Sequence, residues 1–344
     1  MRIFHALAGA PQGGAELFVE RFCLALQRHG IDQRVAIRRD AARAARLRAG
    51  GIEPIELAFG GPLDLATRPA LRRSIAAFGA DLVISYMSRA TKHCPRGDFV
   101  HVGRLGGYYG LKYYRHCDHL VAVTPDVGRH VVDAGWPADA CSVIHNFVDD
   151  RPAQALERRI HATPDAAPLI VALGRLHTNK AFDTLLRALA ALPGVYLWLA
   201  GEGPEHRALE SLARQLGIAD RIRLLGWQTD PGPVFAAADV VVVPSRHEPL
   251  GNVMIEAWMH AKPVVATASQ GPSYLLTHGE TGLLSPIDDA PALARGIAEV
   301  LADPALADRL ARGGRAKFER DFTERAVIGR YLDLFTRLIA RRRK

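Results

Sequence analysis

The stretch "VVVVPSRHEPLGNVMIEAWMHAKPVVAT", residues 240–267, contains one full strand–loop–helix–strand unit. Four consecutive valines make a strand with apolar side chains on both faces, the mark of a parallel sheet covered by helices on either side. The strand ends at Pro244, a polar loop follows, and a helix is expected from about Asn252. "KPVVAT" then opens the next strand. Glu248 lies in the loop and Glu256 eight residues later, one turn into the helix. Gly251 between them allows a ligand close to the backbone, and the N–H groups of Leu250, Asn252 and Val253 stand at a helix start suited to phosphate. Carboxylates so spaced can accept hydrogen bonds from paired hydroxyls of a sugar or ribose. The plainer reading is two carboxylates favoured by the helix dipole; the flanking glycine and the strand–loop–helix setting argue against it.

Working outward, the same alternation fills the chain. "PLIVALG", "VYLWLAG", "IRLLGW" and "GLLSP" accompany these two strands in the second half. "RIFHAL", "QRVAIR", "DLVISY", "FVHVG", "HLVAVT" and "CSVIHN" form a series in the first. The fold class is therefore α/β, with two doubly wound domains whose ligands sit at the carboxyl ends of the strands. A chain of 344 residues suits two domains. The expected boundaries are 1–150 for the first, 151–166 for a linker rich in Pro, Ala and charge, and 167–320 for the second. A helix over 321–344 follows, whose Leu332, Leu334, Phe335, Leu338 and Ile339 need a partner, expected on the first domain.

Apolar content of 49% and charged content of 23% belong to a soluble globular protein. "IFHALAGA" reads as a first strand rather than a signal peptide, so the expected location is cytoplasmic. Four scattered cysteines suit a reducing compartment, and "HCDH" at 116–119 reads as a helix end entering a strand rather than a zinc site. Residues 1–150 carry 19 Lys and Arg against 15 Asp and Glu, notably Arg34, Arg38, Arg39, Arg43, Arg46 and Arg48. A solvated basic face is the plain explanation. Attraction to an anionic inner-membrane surface or a phosphorylated acceptor is the sharper one. Nucleic acid is not expected, since no binding module accompanies the charge.

"GAPQGGAE", residues 9–16, has the G-x-x-x-x-G spacing of a phosphate loop, yet Ala15 and Glu16 stand where that motif needs Lys and Ser or Thr. Such a loop suits an anion approached by the backbone N–H groups of Gly13 and Gly14, the cationic charge coming from elsewhere. Glu16 is either a dipole-favoured residue of the first turn or a contact to acceptor.

The nine-residue spacing in "EPLGNVMIE" resembles the signature of the family 4 retaining glycosyltransferases, which have the GT-B fold. The resemblance runs along nearly the whole chain. "GRLHTNKAFD" (174–183) is similar to the family's G-R-x-x-x-x-K-G diphosphate clamp, giving Gly174, Arg175 and Lys180. "AGEGPEH", "IRLLGW", "HGETGLL", "GGAE" and "VIHNFVD" resemble further family stretches. The resemblance implies two Rossmann-like domains facing a deep interdomain cleft, with the Gly13–Gly14 loop at its floor. The donor is a nucleoside diphosphate sugar and the acceptor a glycan or lipid-linked glycan, such as a lipopolysaccharide core; no cofactor is expected. Glu256 is expected on the ribose hydroxyls, Glu248 on those of the transferred sugar, and the backbone of Arg223, Leu225 and Gly226 along the base. His101, read as ending its strand, is expected near the reacting sugar, with Arg104 as its alternative for an anionic acceptor. Tyr274 stands where the family has a Glu at the head of a helix.

The chemistry of the clamp stands apart from the resemblance. Breaking a sugar–diphosphate bond throws negative charge onto the leaving group, and cations placed there stabilise the transition state more than the ground state. No D-x-D occurs, so no metal is expected at the diphosphate. Two rival readings remain open from the residues: a nucleotide-sugar epimerase of the same fold, and a nucleotide-sugar-binding protein without turnover.

Overall fold

The structure is a computed structural model and describes residues 1–10, 14–61, 63–148 and 150–342. These form two units: residues 1–148 with 324–342, and residues 150–323. The strands of unit 1 are β1 (Arg2–Leu7), β2 (Asp32–Arg38), β3 (Ile55–Leu57), β4 (Leu82–Tyr86), β5 (Val100–Leu105), β6 (His119–Ala122) and β7 (Cys141–Val143). Those of unit 2 are β8 (Leu169–Leu173), β9 (Tyr196–Ala200), β10 (Ile222–Gly226), β11 (Val240–Val243), β12 (Val264–Thr267) and β13 (Leu283–Ser285). Unit 1 has helices α1 (Gly14–Arg28), α2 (Ala41–Ala49), α3 (Thr67–Phe78), α4 (Met87–His93) and α5 (Pro125–Asp133). Unit 2 has α6 (Phe182–Ala190), α7 (His206–Gln215), α8 (Gly232–Ala237), α9 (Asn252–Met259), α10 (Gln270–Leu275), α11 (Ala290–Ala302) and α12 (Pro304–Asp321). The helix α13 (Glu324–Arg342) returns to unit 1.

Both sheets are parallel throughout. Their orders are β3-β2-β1-β4-β5-β6-β7 and β10-β9-β8-β11-β12-β13. Each runs outward one way from its first strand and then resumes on the other side, the doubly wound arrangement expected from the alternating pattern. The order reverses between β1 and β4 in unit 1, and between β8 and β11 in unit 2. Crevices for ligands open at such reversals, beyond the carboxyl ends of the strands.

In unit 1, α13 lies on α1 and on the sheet face carrying Ile3, Leu82, Ile84 and Val102, burying Val327, Ile328, Tyr331, Leu334 and Phe335. Phe22 and Tyr331 meet with ring centroids 4.6 Å apart. The partner of this apolar stripe is thus α1, and a fully buried aromatic there is worth about 1.5–3 kcal/mol. In unit 2, α6, α7, α11 and α12 enclose one core with β8, β9 and β11.

Residues 151–166, expected as a linker, belong with unit 2. The Leu156 amide donates to the Pro233 carbonyl (3.0 Å), Arg158 Nη2 reaches Asp239 Oδ1 (2.8 Å), and buried Trp198 Nε1 donates to Thr163 Oγ1 (2.9 Å). The segment lacks periodicity because it is held by polar contacts rather than an apolar face. The expected break before the last helix at residue 321 falls at Phe322–Thr323, between α12 and α13.

Candidate functional site

At the reversal in unit 2, the carboxyl ends of four strands carry the residues singled out in the sequence. The strand ends are laced together: Gly174 N–H donates to the Ala200 carbonyl (3.0 Å), Gly201 N–H to the Gly226 carbonyl (2.8 Å), and Leu176 N–H to the Glu202 carbonyl (2.9 Å). Gly174 takes φ +150°, and an added Cβ would lie 3.3 Å from Lys180 Cε. The lysine stem therefore crosses the glycine directly. Lys180 ends a short 3₁₀ turn, Thr178–Lys180, and its ammonium pairs with the Glu248 carboxylate from the loop after β11. Arg175, next to Gly174, is exposed and has no ionic partner among the described residues. One carboxylate and one ammonium thus meet at this crevice, and Arg175 follows Gly174 in the chain as an exposed cation.

The loop that presents Glu248 is built by its backbone. Gly271 N–H donates to the Glu248 carbonyl (2.7 Å), Glu248 N–H donates to Gln270 Oε1 (3.3 Å), and Ser245 Oγ lies 3.4 Å from Glu248 Oε2. Gly251 takes φ +92°, a left-handed turn that aims α9 away from the strand. Its helix starts at Asn252 as expected and has no side-chain cap, and in its first turn the Met254 N–H donates to the Gly251 carbonyl (3.0 Å). Val253 lies in that turn, Leu250 is buried just before it, and Glu256 is half-buried one turn further. Gly226 (φ +66°) and Leu225 close the carboxyl end of β10. Arg223 lies three residues back, about 10 Å down the strand, with its guanidinium on the Asp220 carbonyl (2.7 Å) and over the Tyr196 ring.

Sequence reasoning missed Arg246, three residues past the valine strand. Its guanidinium is bidentate on Asp183 (2.9 and 2.7 Å) and also reaches Asp288 Oδ1 (2.6 Å) and the Thr178 carbonyl (2.8 Å). The signal was a cation two residues before Glu248; its partners lie too far along the chain to be read from spacing.

The equivalent reversal in unit 1 corrects several expectations. Of the glycine loop, Gly13 lies outside the described residues, and Gly14 is the exposed first residue of α1. Glu16 is buried, and its Oε1 accepts from Ala10 N–H (2.8 Å), taking the kind of donor that an anion would use. Arg43 Nη2 holds the Ala10 carbonyl (2.6 Å) while its Nε binds Glu20 (2.9 Å), and Arg46 also binds Glu20. Arg48 pairs with Glu53 and Glu56. Half of the supposed basic face is therefore neutralised from within.

His101 does not end its strand. It is the second residue of β5, 3% exposed, and its Nε2 meets Ser85 Oγ at 2.9 Å. The strand runs on through Arg104 and Leu105, which places His101 near the amino-terminal end; burial pushes its pKa down to about 4. Arg104 is likewise unavailable to an anionic acceptor. It is 2% exposed, with Nε on Tyr331 OH (2.9 Å), Nη2 on Asn146 Oδ1, and its plane over Phe18. Tyr274 is the fifth residue of α10 rather than its head, and is 45% exposed. The "HCDH" residues go separate ways, His116 to Arg96 and His119 to Ser142. Among the described residues, no group of three or more His, Cys, Asp or Glu is placed to hold a metal, and no helix is long and apolar enough to cross a membrane.

Residues 12–151 match the model of Glycosyltransferase Family 4, and residues 167–303 that of Glycosyl transferases group 1. The chain is 36% identical to the lipopolysaccharide core biosynthesis glycosyltransferase LpsD of Rhizobium meliloti, over 99% of this chain and all of LpsD. It is 38% identical to LpsE of the same organism, over 97% and 98% of the two chains. Among solved structures, HepE of Anabaena in complex with UDP-glucose superposes with a TM-score of 0.85 at 21% identity, over 98% of this chain and 99% of that one. A glycosyltransferase of Rickettsia africae superposes at 0.87 and 19%, over 98% of each. These structural likenesses establish the GT-B fold. From the near full-length likeness to LpsD and LpsE and the two matched family models, the chain belongs to the family 4 (group 1) glycosyltransferases.

Proposed function

We propose that this glycosyltransferase moves a hexose-type sugar, with retention of configuration and without a metal, from a nucleoside diphosphate sugar to a lipopolysaccharide-core glycan or glycolipid. It acts at the cytoplasmic side of the inner membrane. The observation that carries the reading is the Lys180–Glu248 pair beside exposed Arg175 at the carboxyl ends of β8 and β11. As the anomeric carbon–oxygen bond breaks, the electron pair goes to the diphosphate, and the Lys180 ammonium with the Arg175 fork stabilises that charge. Glu248 exchanges the ammonium for hydroxyls of the sugar, and Glu256 takes the ribose hydroxyls. The donor is a substrate and no cofactor is required. The names of LpsD and LpsE support the acceptor class.

A membrane-borne acceptor is supported by unit 1. Leu63 and Leu65 are 94% and 83% exposed, on a loop fixed by Asp64, which accepts from the Gly60, Ala66 and Thr67 amides. Arg68, Arg72 and Arg73 of the following helix have no ionic partner among the described residues, and such cations favour anionic lipid.

The test is transfer from a panel of nucleoside diphosphate sugars, UDP-glucose first, to truncated lipopolysaccharide cores. Mass spectrometry would identify the product and NMR its anomer, with and without excess chelator. An α-linked product from an α-linked donor, formed undiminished in chelator, is expected. An inverted anomer overturns retention, loss in chelator overturns metal independence, and epimerised donor without a glycosylated acceptor overturns the reading as a whole.

A further inference from the structure

Arg246 touches neither Lys180 nor Glu248 through its side chain, yet it fastens the two segments that carry them. Its own N–H and that of His247 both donate to the Asn179 carbonyl (2.8 and 3.2 Å), and its Nη1 donates to the Thr178 carbonyl (2.8 Å). The 3₁₀ turn that ends in Lys180 is thereby sewn to the loop that ends in Glu248. The guanidinium also binds Asp183, at the start of α6, through Nη1 and Nη2, and Asp288, in the turn before α11, through Nε. Thr184 Oγ1 completes the ring by donating to Asp288 Oδ1 (3.1 Å).

This network is poorly built for stability. The Arg246, Asp183 and Asp288 side chains are 31%, 42% and 50% exposed, and exposed pairs contribute little to folding. It is well built for register, since a planar fork bound at four points admits one orientation.

We propose that Arg246 is a positioning residue that fixes the Lys180 ammonium in register with Glu248, so that the lysine meets the leaving diphosphate in the transition state. This rests on the role given to Lys180 above. Because the effect passes through Lys180, Arg246 matters only while Lys180 is present.

The experiment is a double-mutant cycle on the full chain, using the donor and acceptor that the transfer panel identifies. Arg246→Ala is expected to lower kcat by about 10- to 100-fold, the usual scale for an outer partner of a working group. The donor KM should change less than about threefold and the Tm by less than about 3 °C. Arg246→Lys, which keeps the charge but loses the fork, should fall between. In the Lys180→Ala background, Arg246→Ala should lower kcat by less than about twofold. An unchanged kcat in Arg246→Ala overturns the inference. So does a loss that multiplies in full on top of Lys180→Ala, which would mark a merely structural residue. If Lys180→Ala itself keeps full kcat, the functional reading fails and takes the inference with it.

Discussion

The two strand-order reversals, β1/β4 and β8/β11, have the same topology and dispose of charge in opposite ways. At β1/β4 the ionised groups turn inward: Glu16 and Arg43 hold the amide and carbonyl of Ala10, and Glu20 neutralises Arg43 and Arg46. The Arg43 and Glu20 side chains are 1% and 5% exposed. At β8/β11 the Lys180 and Glu248 side chains keep 23% and 11%, and Arg175 faces solvent. Dehydrating an ion pair fully consumes most of its attraction, and a pair so buried does little except hold its own backbone. A pair left at a crevice can still exchange partners. The same fold thus carries a closed ion pair at one reversal and a partly exposed one at the other, and the outcome depends on which side chains the loops carry.

Four changes test this contrast. The largest effect is expected from Lys180→Ala, a fall in kcat of about 10²–10³-fold, with little change in thermal unfolding; equal activity would remove unit 2 as the chemical site. Next is Glu20→Gln, which removes the carboxylate charge that Arg43 Nε (2.9 Å) and Arg46 Nε (2.6 Å) share inside the fold. A loss of about 3 kcal/mol by denaturant unfolding is expected, while kcat well below the Tm stays unchanged. Third is the pH response of unit 1. Burial lowers His101 and His119 to about 4 and His5 to about 3. The unfolded chain takes up their protons near pH 6.5 and the folded chain does not. Stability is therefore full above about pH 6.5 and falls as pH drops toward 4. Hydrogen exchange resolved by unit should show unit 1 loosening first on acidification; a profile flat from pH 7 to 4 would contradict the desolvation. The smallest is Ala181→Gly. Ala181 takes φ +50° where the family clamp has glycine. Relief of that strain is offset by a freer unfolded chain and a lost buried methyl, so the net change in unfolding free energy should stay within about 1 kcal/mol.

The sheets were legible because parallel strands buried on both faces are written as runs of Val, Ile and Leu. The strand β3 was not: it is a three-residue edge strand, "IEL", following a proline and interrupted by a glutamate. That Lys180 and Glu248 serve one site was implied by the family resemblance, whereas their direct pairing was not anticipated; Gly251 was legible from its place before a helix. Arg246 escaped because its partners, Asp183 and Asp288, lie 63 and 42 residues away and only the fold brings them in. His101 and Arg104 were misjudged for one reason. An apolar run interrupted by polar residues reads as a strand that has ended, whereas here those side chains are buried on Ser85, Asn146 and Tyr331.

The helix α13 joins unit 1 only after all of unit 2 has passed. During synthesis the sheet of unit 1 therefore waits with the face that Tyr331 and Phe335 will cover still wet, while residues 150–323 can complete their own core. The segment made last thus completes the unit begun first, and a nascent chain halted before residue 324 would lack the helix that covers this face.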